Sequence, residues 1–381
     1  MAPDAAPARP DQWRPLHLGT LELWPPVLLA PMAGVTSYPF RRLCRGFGAA
    51  LCTSEMIAAR AFVEGRSKTL LLAAFGPNET PRSLQLYGTD PYYVGEAVKR
   101  VVAEGRVDHL DLNFGCPARK VTRKGGGAAI PAKPRLLENI VRAAVTSAER
   151  IPVTVKLRIG IDENLVTFLA AGRIAEHAGC AAVGLHARTA AQLYSGAARW
   201  EAIGELKQAI SIPVLGNGDV WEAQDALRMM RETRCDAVIV GRGCLGRPWL
   251  FRDLADAFEG RPPRTPPRLG EVVQIMLEHA RGLADWTGEK PALRAFRRHA
   301  TWYTKGFRGS AAQRARLMQV QTLAELEGIL ADADPTQPFP LVVTRLARGK
   351  GRKTQRVTLP EGFFDDPDGT TPPEEDAAPG G

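Results

Sequence analysis

The sequence contains no run of about 18 or more consecutive apolar residues, the length that a membrane-spanning helix requires. Its first residues are rich in proline and alanine and include Asp4 and Asp11, unlike the basic and then apolar pattern of a signal peptide. The six cysteines include no CxxC pair, so neither a disulfide framework nor a cysteine-rich zinc site is indicated. We therefore expect a soluble, cytoplasmic, monomeric protein with reduced thiols, no metal and no membrane contact.

Basic residues outnumber acidic ones. The chain has 50 Lys and Arg against 41 Asp and Glu, which gives a formal charge of +9 at neutral pH. A charge of this sign favours encounter with an anionic partner, although it does not identify the fold. The 381 residues, 45% of them hydrophobic, fit one domain of about 250 residues plus a smaller one.

Short β-like runs alternate with helix-like segments over residues 27–240, the pattern of βα units around a parallel sheet. We predict eight strands: 27–30, 50–53, 83–86, 109–112, 153–156, 182–185, 213–215 and 237–240. Eight units fit a (β/α)8 TIM barrel better than an open doubly wound sheet. The predicted fold class is therefore α/β, a TIM barrel followed by a small all-α helical-bundle domain.

Composition predicts the domain boundaries. We expect a flexible N-terminus over 1–15, the barrel over 16–258, a proline-rich linker over 259–269 and a helical domain over 270–332. In the helical domain Leu293, Phe296, Ala300, Tyr303 and Phe307 have helical spacing and are expected to form a buried stripe. No acidic residue occurs over 291–320, so this domain has a basic side. Residues 333–381 change from basic to acidic and are expected to be disordered.

The loops that follow the strands should gather on one face of the barrel, where barrel enzymes place their active sites. Cys116 lies just beyond the fourth strand, although a lone cysteine is more often a small buried hydrophobe than a catalyst. The loops after strands seven and eight contain Gly216–Asp219 and Gly241–Gly243. These glycines either only turn the chain or let main-chain N–H groups approach a phosphate.

Lys156 and His186 end the fifth and sixth strands. Lys156 is a solvated surface group, a cation that stabilises an anionic cofactor, or a Schiff-base nucleophile, and its neighbours do not decide among these. His186 either bonds a nearby carbonyl or donates to the carbonyl oxygen or phosphate of a bound ring.

Six motifs at successive strand ends together resemble the tRNA-dihydrouridine synthases, nearest to their bacterial branch. The similarity covers roughly residues 20–325 and rests on Leu29-Ala30-Pro31-Met32-Ala33-Gly34, Asn113-Phe114-Gly115-Cys116-Pro117, Lys156-Leu157-Arg158, His186-Ala187-Arg188-Thr189, Gly216-Asn217-Gly218-Asp219 and Gly241-Arg242. The resemblance implies an FMN enzyme that uses NADPH to reduce the C5=C6 bond of a uridine in tRNA to 5,6-dihydrouridine.

The resemblance also implies a role for each matched position. Cys116 is expected to be the catalytic proton donor, which suits a thiol because its ordinary pKa keeps it largely protonated at neutral pH. The residues expected to bind the flavin are Pro31, Met32, Ala33, Gln85, Lys156, His186, Asn217, Gly218, Asp219, Gly241 and Arg242. Those expected to contact uracil or tRNA are Asn113, Arg158, Arg188, Arg294, Arg297 and Arg298.

The same residues leave three other functions open. A Schiff-base aldolase would use Lys156 but gives no role to Cys116 or the basic helical domain. A dihydroorotate-type flavin dehydrogenase accounts for a pyrimidine but not for the RNA-facing charge. A non-catalytic RNA-binding protein would bind RNA irrespective of Cys116.

Overall fold

Eight parallel strands form a closed barrel. The computed structural model describes residues 8–9, 12–349 and 353–372. The barrel strands are β3 (Val27–Leu29), β4 (Leu51–Ala58), β5 (Arg82–Tyr87), β6 (His109–Phe114), β7 (Val153–Arg158), β8 (Ala182–His186), β9 (Val214–Asn217) and β10 (Ala237–Val240). Each strand pairs with the next, and β10 closes the ring on β3 through the pair Val238 and Val27. The predicted TIM barrel is confirmed.

Several strands continue further toward their carboxyl ends than predicted. Strand β4 runs to Ala58 with an irregularity between Thr53 and Met56, and β6 runs to Phe114. Arg158 and His186, which we expected in loops or at strand termini, are paired strand residues in register with each other. The side chains at the barrel mouth are therefore positioned by the sheet ladder itself.

A short hairpin that was not predicted precedes the barrel. Its strands are β1 (Leu16–Leu18) and β2 (Leu21–Leu23), which pair antiparallel. Leu16, Leu18 and Leu23 are buried in one cluster with barrel residues that include Leu215 and Ile239. At three residues each, these strands are too short for their alternation to stand out in the sequence.

Fourteen α-helices occur in the described ranges. Those of the barrel region are α1 (Tyr38–Gly46), α2 (Ala59–Val63), α3 (Ser67–Leu72), α4 (Pro91–Ala103), α5 (Arg119–Thr122), α6 (Pro134–Ala148), α7 (Phe168–His177), α8 (Glu201–Ala209), α9 (Ala223–Thr233) and α10 (Leu250–Phe258). Helix α4 shows how local sequence sets these elements. Asp90 caps its first turn by accepting from the Tyr92 N–H at 2.8 Å, and Pro91 occupies the first position, where it loses no hydrogen bond.

The helical region after the linker contains α11 (Leu269–Thr287), α12 (Glu289–Tyr303), α13 (Ser310–Leu317) and α14 (Leu323–Ala331). All five residues of the predicted stripe from Leu293 to Phe307 are buried there. They join Val272 and Met276 of α11 in a second core, separate from that of the barrel. None of the helices in the described part of the chain is long and apolar enough to cross a membrane.

The described part of the tail makes specific contacts, in contrast to the disorder expected over 333–381. The Arg348 side chain is buried and donates to the Trp302 carbonyl at 3.3 Å. Arg345 pairs with Glu222 and Asp225 of the barrel at 2.9 and 2.8 Å. Charge composition alone did not reveal these pairs, because their acidic partners lie far away in sequence. Residues 350–352 and 373–381, and most of the N-terminal segment 1–15, lie outside the described residues.

Gly246 lies where the barrel meets α12, and a side chain there should destabilise the protein. Its φ is +64°, and an added Cβ would lie 2.4 Å from the Trp302 carbonyl carbon. We expect Gly246→Ala to lower the free energy of unfolding by about 2–4 kcal/mol, measured by chemical denaturation. Gly328→Ala in α14 is the control: nothing lies within 4 Å of the added Cβ, so the variant should match or exceed wild-type stability. Equal stability of the two variants would contradict this prediction.

Candidate active site

Many of the predicted site residues lie at the carboxyl ends of β6 to β9. The ladder pairs Asn113 with Lys156, Arg158 with His186, and His186 with Asn217. Neighbouring strands therefore bring side chains that are far apart in sequence to the same edge of the barrel. This confirms that the strand-end motifs gather on one face.

Asn113 holds the main chain of the loop that carries Cys116. The Oδ1 atom of Asn113 accepts hydrogen bonds from the N–H groups of Gly115 at 3.1 Å and Cys116 at 2.8 Å. The Cys116 carbonyl in turn accepts from the Ala128 N–H at 3.1 Å. Cys116 itself is half-buried, whereas the other five cysteines are fully buried. The main chain at Cys116 is thus fixed while its side chain stays within reach of a ligand.

The orientation of Asn113 depends on a buried carboxylate. Asp111 accepts from Gln85 Nε2 and from the Thr154 hydroxyl, each at 2.6 Å. With its Nε2 committed to Asp111, Gln85 presents its Oε1 to Asn113 Nδ2, which donates at 2.8 Å. A carboxylate only accepts, so it determines the direction of both amides and leaves Asn113 Oδ1 facing the Cys116 loop. Burial raises the pKa of Asp111 to about 6.

The same network continues into the barrel interior. His109 Nε2 lies 3.1 Å from the Thr154 hydroxyl, and its Nδ1 lies 2.8 Å from the Ser83 hydroxyl. Burial lowers the pKa of His109 to about 3, so the ring is neutral at physiological pH. Since Thr154 gives its proton to Asp111, His109 must donate from Nε2 and accept at Nδ1.

Lys156 is half-buried and hydrogen-bonded. Its Nζ donates to Asn217 Oδ1 at 2.8 Å, and Asn217 Nδ2 donates to the Ile239 carbonyl at 2.7 Å. Burial lowers the pKa of Lys156 to about 8, while the Asp111 carboxylate opposes that shift. The bond to Asn217 favours an anion-stabilising cation or a nucleophile over a solvated surface group.

His186 is buried at the end of β8. Burial, followed by the charges of Arg158 and Lys156, holds its pKa well below the ordinary value, so the ring is neutral and has one N–H to donate. Gly218 lies against it with φ at +133°, and an added Cβ would lie 2.7 Å from the Ala198 Cβ and 3.4 Å from the His186 ring. Only glycine fits at position 218, which brings the main chain of this loop close to the ring.

Two arginines and one carboxylate lie at the loops after β8, β9 and β10. Arg188 is 2% exposed and donates from Nη2 to both oxygens of Asp219, at 2.9 and 2.7 Å. The Nη1 atom of Arg188 is buried and has no partner among the described residues. Arg242 Nη2 lies 3.6 Å from Asp219, and its guanidinium lies 4.5 Å from the centre of the Tyr194 ring. The two guanidiniums outweigh the one carboxylate, so this corner is positive.

Arg158 donates most of its hydrogen bonds to main-chain carbonyls. Its Nε donates to Gly115 at 2.9 Å and its Nη1 donates to Thr189 and Leu193, both at 2.8 Å. Among the described residues none accepts from its Nη2. Burial lowers the pKa of Arg158 to about 10, so the side chain remains charged at neutral pH. Contact of Arg158 with uracil stays a prediction, with Nη2 as the group that could make it.

The loops after β3 and β10 lie side by side. A Cβ added at Gly241 would lie 3.7 Å from the Ala30 Cβ and 4.0 Å from the Met32 sulfur. The Met32 N–H donates to the Thr36 hydroxyl at 3.1 Å, which orders the turn that follows Pro31 and contains Ala33. The first and last strands of the barrel thus supply adjoining walls of the site.

The model of the dihydrouridine synthase (Dus) family matches residues 28–337. The chain belongs to the dihydrouridine synthase family. It is 52% identical over 369 residues to a probable tRNA-dihydrouridine synthase of Mycobacterium tuberculosis, covering 94% of this chain and 95% of the relative. It is 49% identical to the corresponding protein of Mycobacterium leprae, covering 91% and 97%, and 37% identical to tRNA-dihydrouridine synthase B of Pseudomonas aeruginosa, covering 80% and 92%.

The three arginines of α12 that were predicted to contact uracil or tRNA occupy different environments in this family member. Arg298 extends from α12 to the barrel mouth, where its Nη1 lies 2.8 Å from the position of a Cβ added at Gly34. Arg297 donates to the carbonyls of Val320 and Gln319 at 3.0 and 3.3 Å, which ties α12 to the loop before α14. Arg294 is exposed. Arg294 and Arg298 are therefore better placed than Arg297 to meet a ligand.

Asp111, Thr154 and His109 were missed as contributors to the site. The alternation of polar and apolar residues in β6 could have indicated them. There, His109, Asp111 and Asn113 alternate with Leu110, Leu112 and Phe114. Polar residues at period two mark one face of a strand, and here that face is the barrel interior. No group of three or more His, Cys, Asp or Glu side chains suited to a metal ion occurs among the described residues.

Proposed function

We propose that this protein reduces the C5=C6 bond of a uridine in tRNA to 5,6-dihydrouridine, with bound FMN, with NADPH as reductant and with Cys116 as proton donor. The observation that carries the proposal is the placement of Cys116. Its main chain is fixed by Asn113 at the mouth of the barrel, one strand away from the half-buried cation Lys156. The family membership and the names of the relatives support the same conclusion.

The residues at the barrel mouth suit an anionic flavin nucleotide. The Arg188 Nη1 that has no described partner, the positive corner that it forms with Arg242, and the Gly218 loop together suit a phosphate group. Lys156 and the neutral His186 would bind the ring system, with Lys156 offsetting negative charge on it. The first-strand residues Pro31, Met32 and Ala33, together with Gln85, Asn217, Asp219 and Gly241, would complete the walls. When bound and reduced by NADPH, FMN supplies the hydride that adds to uracil C6.

Cys116 would then give its thiol proton to C5, which saturates the double bond and leaves a thiolate. Arg158 lies close enough to Cys116 for their charges to interact, so its guanidinium would stabilise that thiolate. Asn113 would keep the thiol in place through the main-chain N–H of Cys116. This arrangement uses the chain for binding, orientation and proton transfer.

A uridine inside folded tRNA must leave its stack to reach this site, at a cost of a few kcal/mol. We infer that phosphate contacts to the helical domain offset that cost. Arg294 is exposed on α12, and Arg298 lies at the junction between α12 and the barrel mouth. A tRNA bound to both would span the helical domain and the active site.

The proposal is tested by the visible spectrum of the purified protein and by an assay on unmodified tRNA transcripts. We expect a yellow protein that releases FMN, and NADPH-dependent formation of dihydrouridine detected by mass spectrometry of nuclease digests. A protein that is colourless and takes up no added FMN would overturn the proposal. So would a flavoprotein that reduces free pyrimidines but leaves tRNA unchanged.

A further inference from the structure

The segment 353–372, which we call the C-terminal strap, lies beyond the end of the family match at residue 337. It nevertheless contacts the barrel at its mouth. Midway along it, the Phe363 side chain is 6% exposed and lies under the Lys133 ammonium, which is 5.1 Å from the ring centre. Lys133 Nζ also donates to the Asp366 carbonyl at 2.9 Å. The strap is thus anchored just before α6, after the loop that carries Cys116.

Gln355 anchors the beginning of the strap. Its main-chain N–H donates to the Ala191 carbonyl at 2.9 Å. Its side-chain Nε2 donates to the Pro117 carbonyl at 2.7 Å and to the Ala190 carbonyl at 3.3 Å. One side chain therefore joins the loop after β6 to the loop after β8.

The contact with Pro117 completes a set of restraints on the Cys116 loop. Three successive carbonyls there accept from three different segments: Gly115 from Arg158 Nε, Cys116 from the Ala128 N–H, and Pro117 from Gln355 Nε2. Proline has no N–H, so the peptide unit between residues 116 and 117 can be hydrogen-bonded only through the Cys116 carbonyl. Gln355 holds the carbonyl that follows directly.

We propose that the C-terminal strap is part of the active-site wall and that Gln355 is a positioning residue for Cys116. The strap holds the Pro117 carbonyl, one peptide beyond Cys116 on its carboxyl side, whereas Asn113 holds the peptide on the amino side. The role of Cys116 in catalysis rests on the proposed function. The effect of Gln355 on the loop does not, because it can be measured on the thiol itself.

The test compares Gln355→Glu and Gln355→Ala with Thr354→Ala in the full-length flavin-loaded protein. Glutamate has nearly the same shape as glutamine but cannot donate to Pro117 when ionised, and both Gln355 variants keep the main-chain bond to Ala191. Thr354 is the exposed neighbour on the same segment. The first readout is the alkylation rate of Cys116 by iodoacetamide, followed by mass spectrometry. The five buried cysteines serve as internal references.

We expect both Gln355 variants to raise the alkylation rate about two- to tenfold, the range that corresponds to one hydrogen bond, with Thr354→Ala unchanged. In the tRNA assay we expect kcat to fall by a similar factor while KM for tRNA stays near wild type. Wild-type alkylation rates in both variants would overturn the proposal. An effect confined to Gln355→Glu would also overturn it, because that result would assign the change to the added charge.

The two proposals fail in distinguishable ways. If wild-type protein makes no dihydrouridine, the proposed function fails, yet faster alkylation in both Gln355 variants would still support the strap as a restraint on the loop. If dihydrouridine forms and the Gln355 variants match wild type in both assays, only the positioning role fails.

Discussion

Replacing Cys116 with alanine is expected to lower the rate of dihydrouridine formation on unmodified tRNA by about 10²- to 10⁴-fold, the usual contribution of a positioned general acid. The thiol is the proposed proton donor, and the Asn113 contact to its main chain holds it at the barrel mouth. Alanine keeps that main-chain contact, so FMN content and affinity for tRNA should stay near wild type. Single-turnover measurements with the pre-reduced protein isolate the chemical step.

Two further variants sharpen this expectation. Cys116→Ser retains a hydroxyl donor of much higher pKa. We expect its rate to lie below that of wild type and at or above that of Cys116→Ala. Cys180→Ala removes a buried thiol from the same barrel and should leave the rate unchanged. Undiminished uridine reduction by Cys116→Ala would remove Cys116 as the proton donor and leave the acid to be sought among other groups at the mouth.

The order of elements was predictable from the sequence because each barrel strand contains a short apolar or alternating run and is followed by a loop with glycine or polar residues. All eight predicted strands overlap the observed ones. Their ends were less predictable, since the last residue of a parallel strand is defined by its neighbour's hydrogen bonds. Arg158 and His186 belong to strands because they pair with each other in the sheet. The sequence around neither residue indicates that pairing.

The site was predictable at the level of motifs but not of contacts. Arg188 and Asp219 were expected to face ligands, and the structure shows them bonded to each other at 2.7 Å. Gln355 contacts Pro117 across 238 positions of sequence, in a segment whose composition predicted disorder. Such contacts depend on the path of the chain, whereas strand patterns depend only on neighbouring residues.

The most consequential of these unpredicted contacts belongs to Asp111. We expect Asp111→Asn to lower kcat for uridine reduction by about tenfold to a hundredfold, a loss typical of a misplaced catalytic group. An asparagine can present its NH2 to Gln85, which allows Gln85 and then Asn113 to reverse their amides. Asn113 would then turn a donor toward the N–H of Cys116, and the contact that holds the loop would be lost. KM for tRNA should change little, because no part of this network lies on the helical domain.

The pH dependence separates this effect from a loss of folding. Because burial raises the pKa of Asp111 to about 6, wild-type activity should fall as the pH drops through 6, when the carboxyl gains a proton and no longer requires donors. Asp111→Asn should lack that acidic limb. The raised pKa also means that the buried carboxylate costs stability, a cost that develops as the pH rises from about 4 to 6 and persists above it. The variant should therefore be at least as stable as wild type at pH 7.

Asp108→Asn is the matched control for that substitution. Asp108 lies just before β6, at the opposite end of the barrel, and pairs with Arg82 at 2.9 Å. Its amide variant should keep both the rate and the acidic limb. If Asp111→Asn keeps wild-type kcat and its acidic limb, Asp111 does not orient the Cys116 loop. If instead kcat and thermal stability fall together, the carboxylate supports the barrel rather than the position of the thiol.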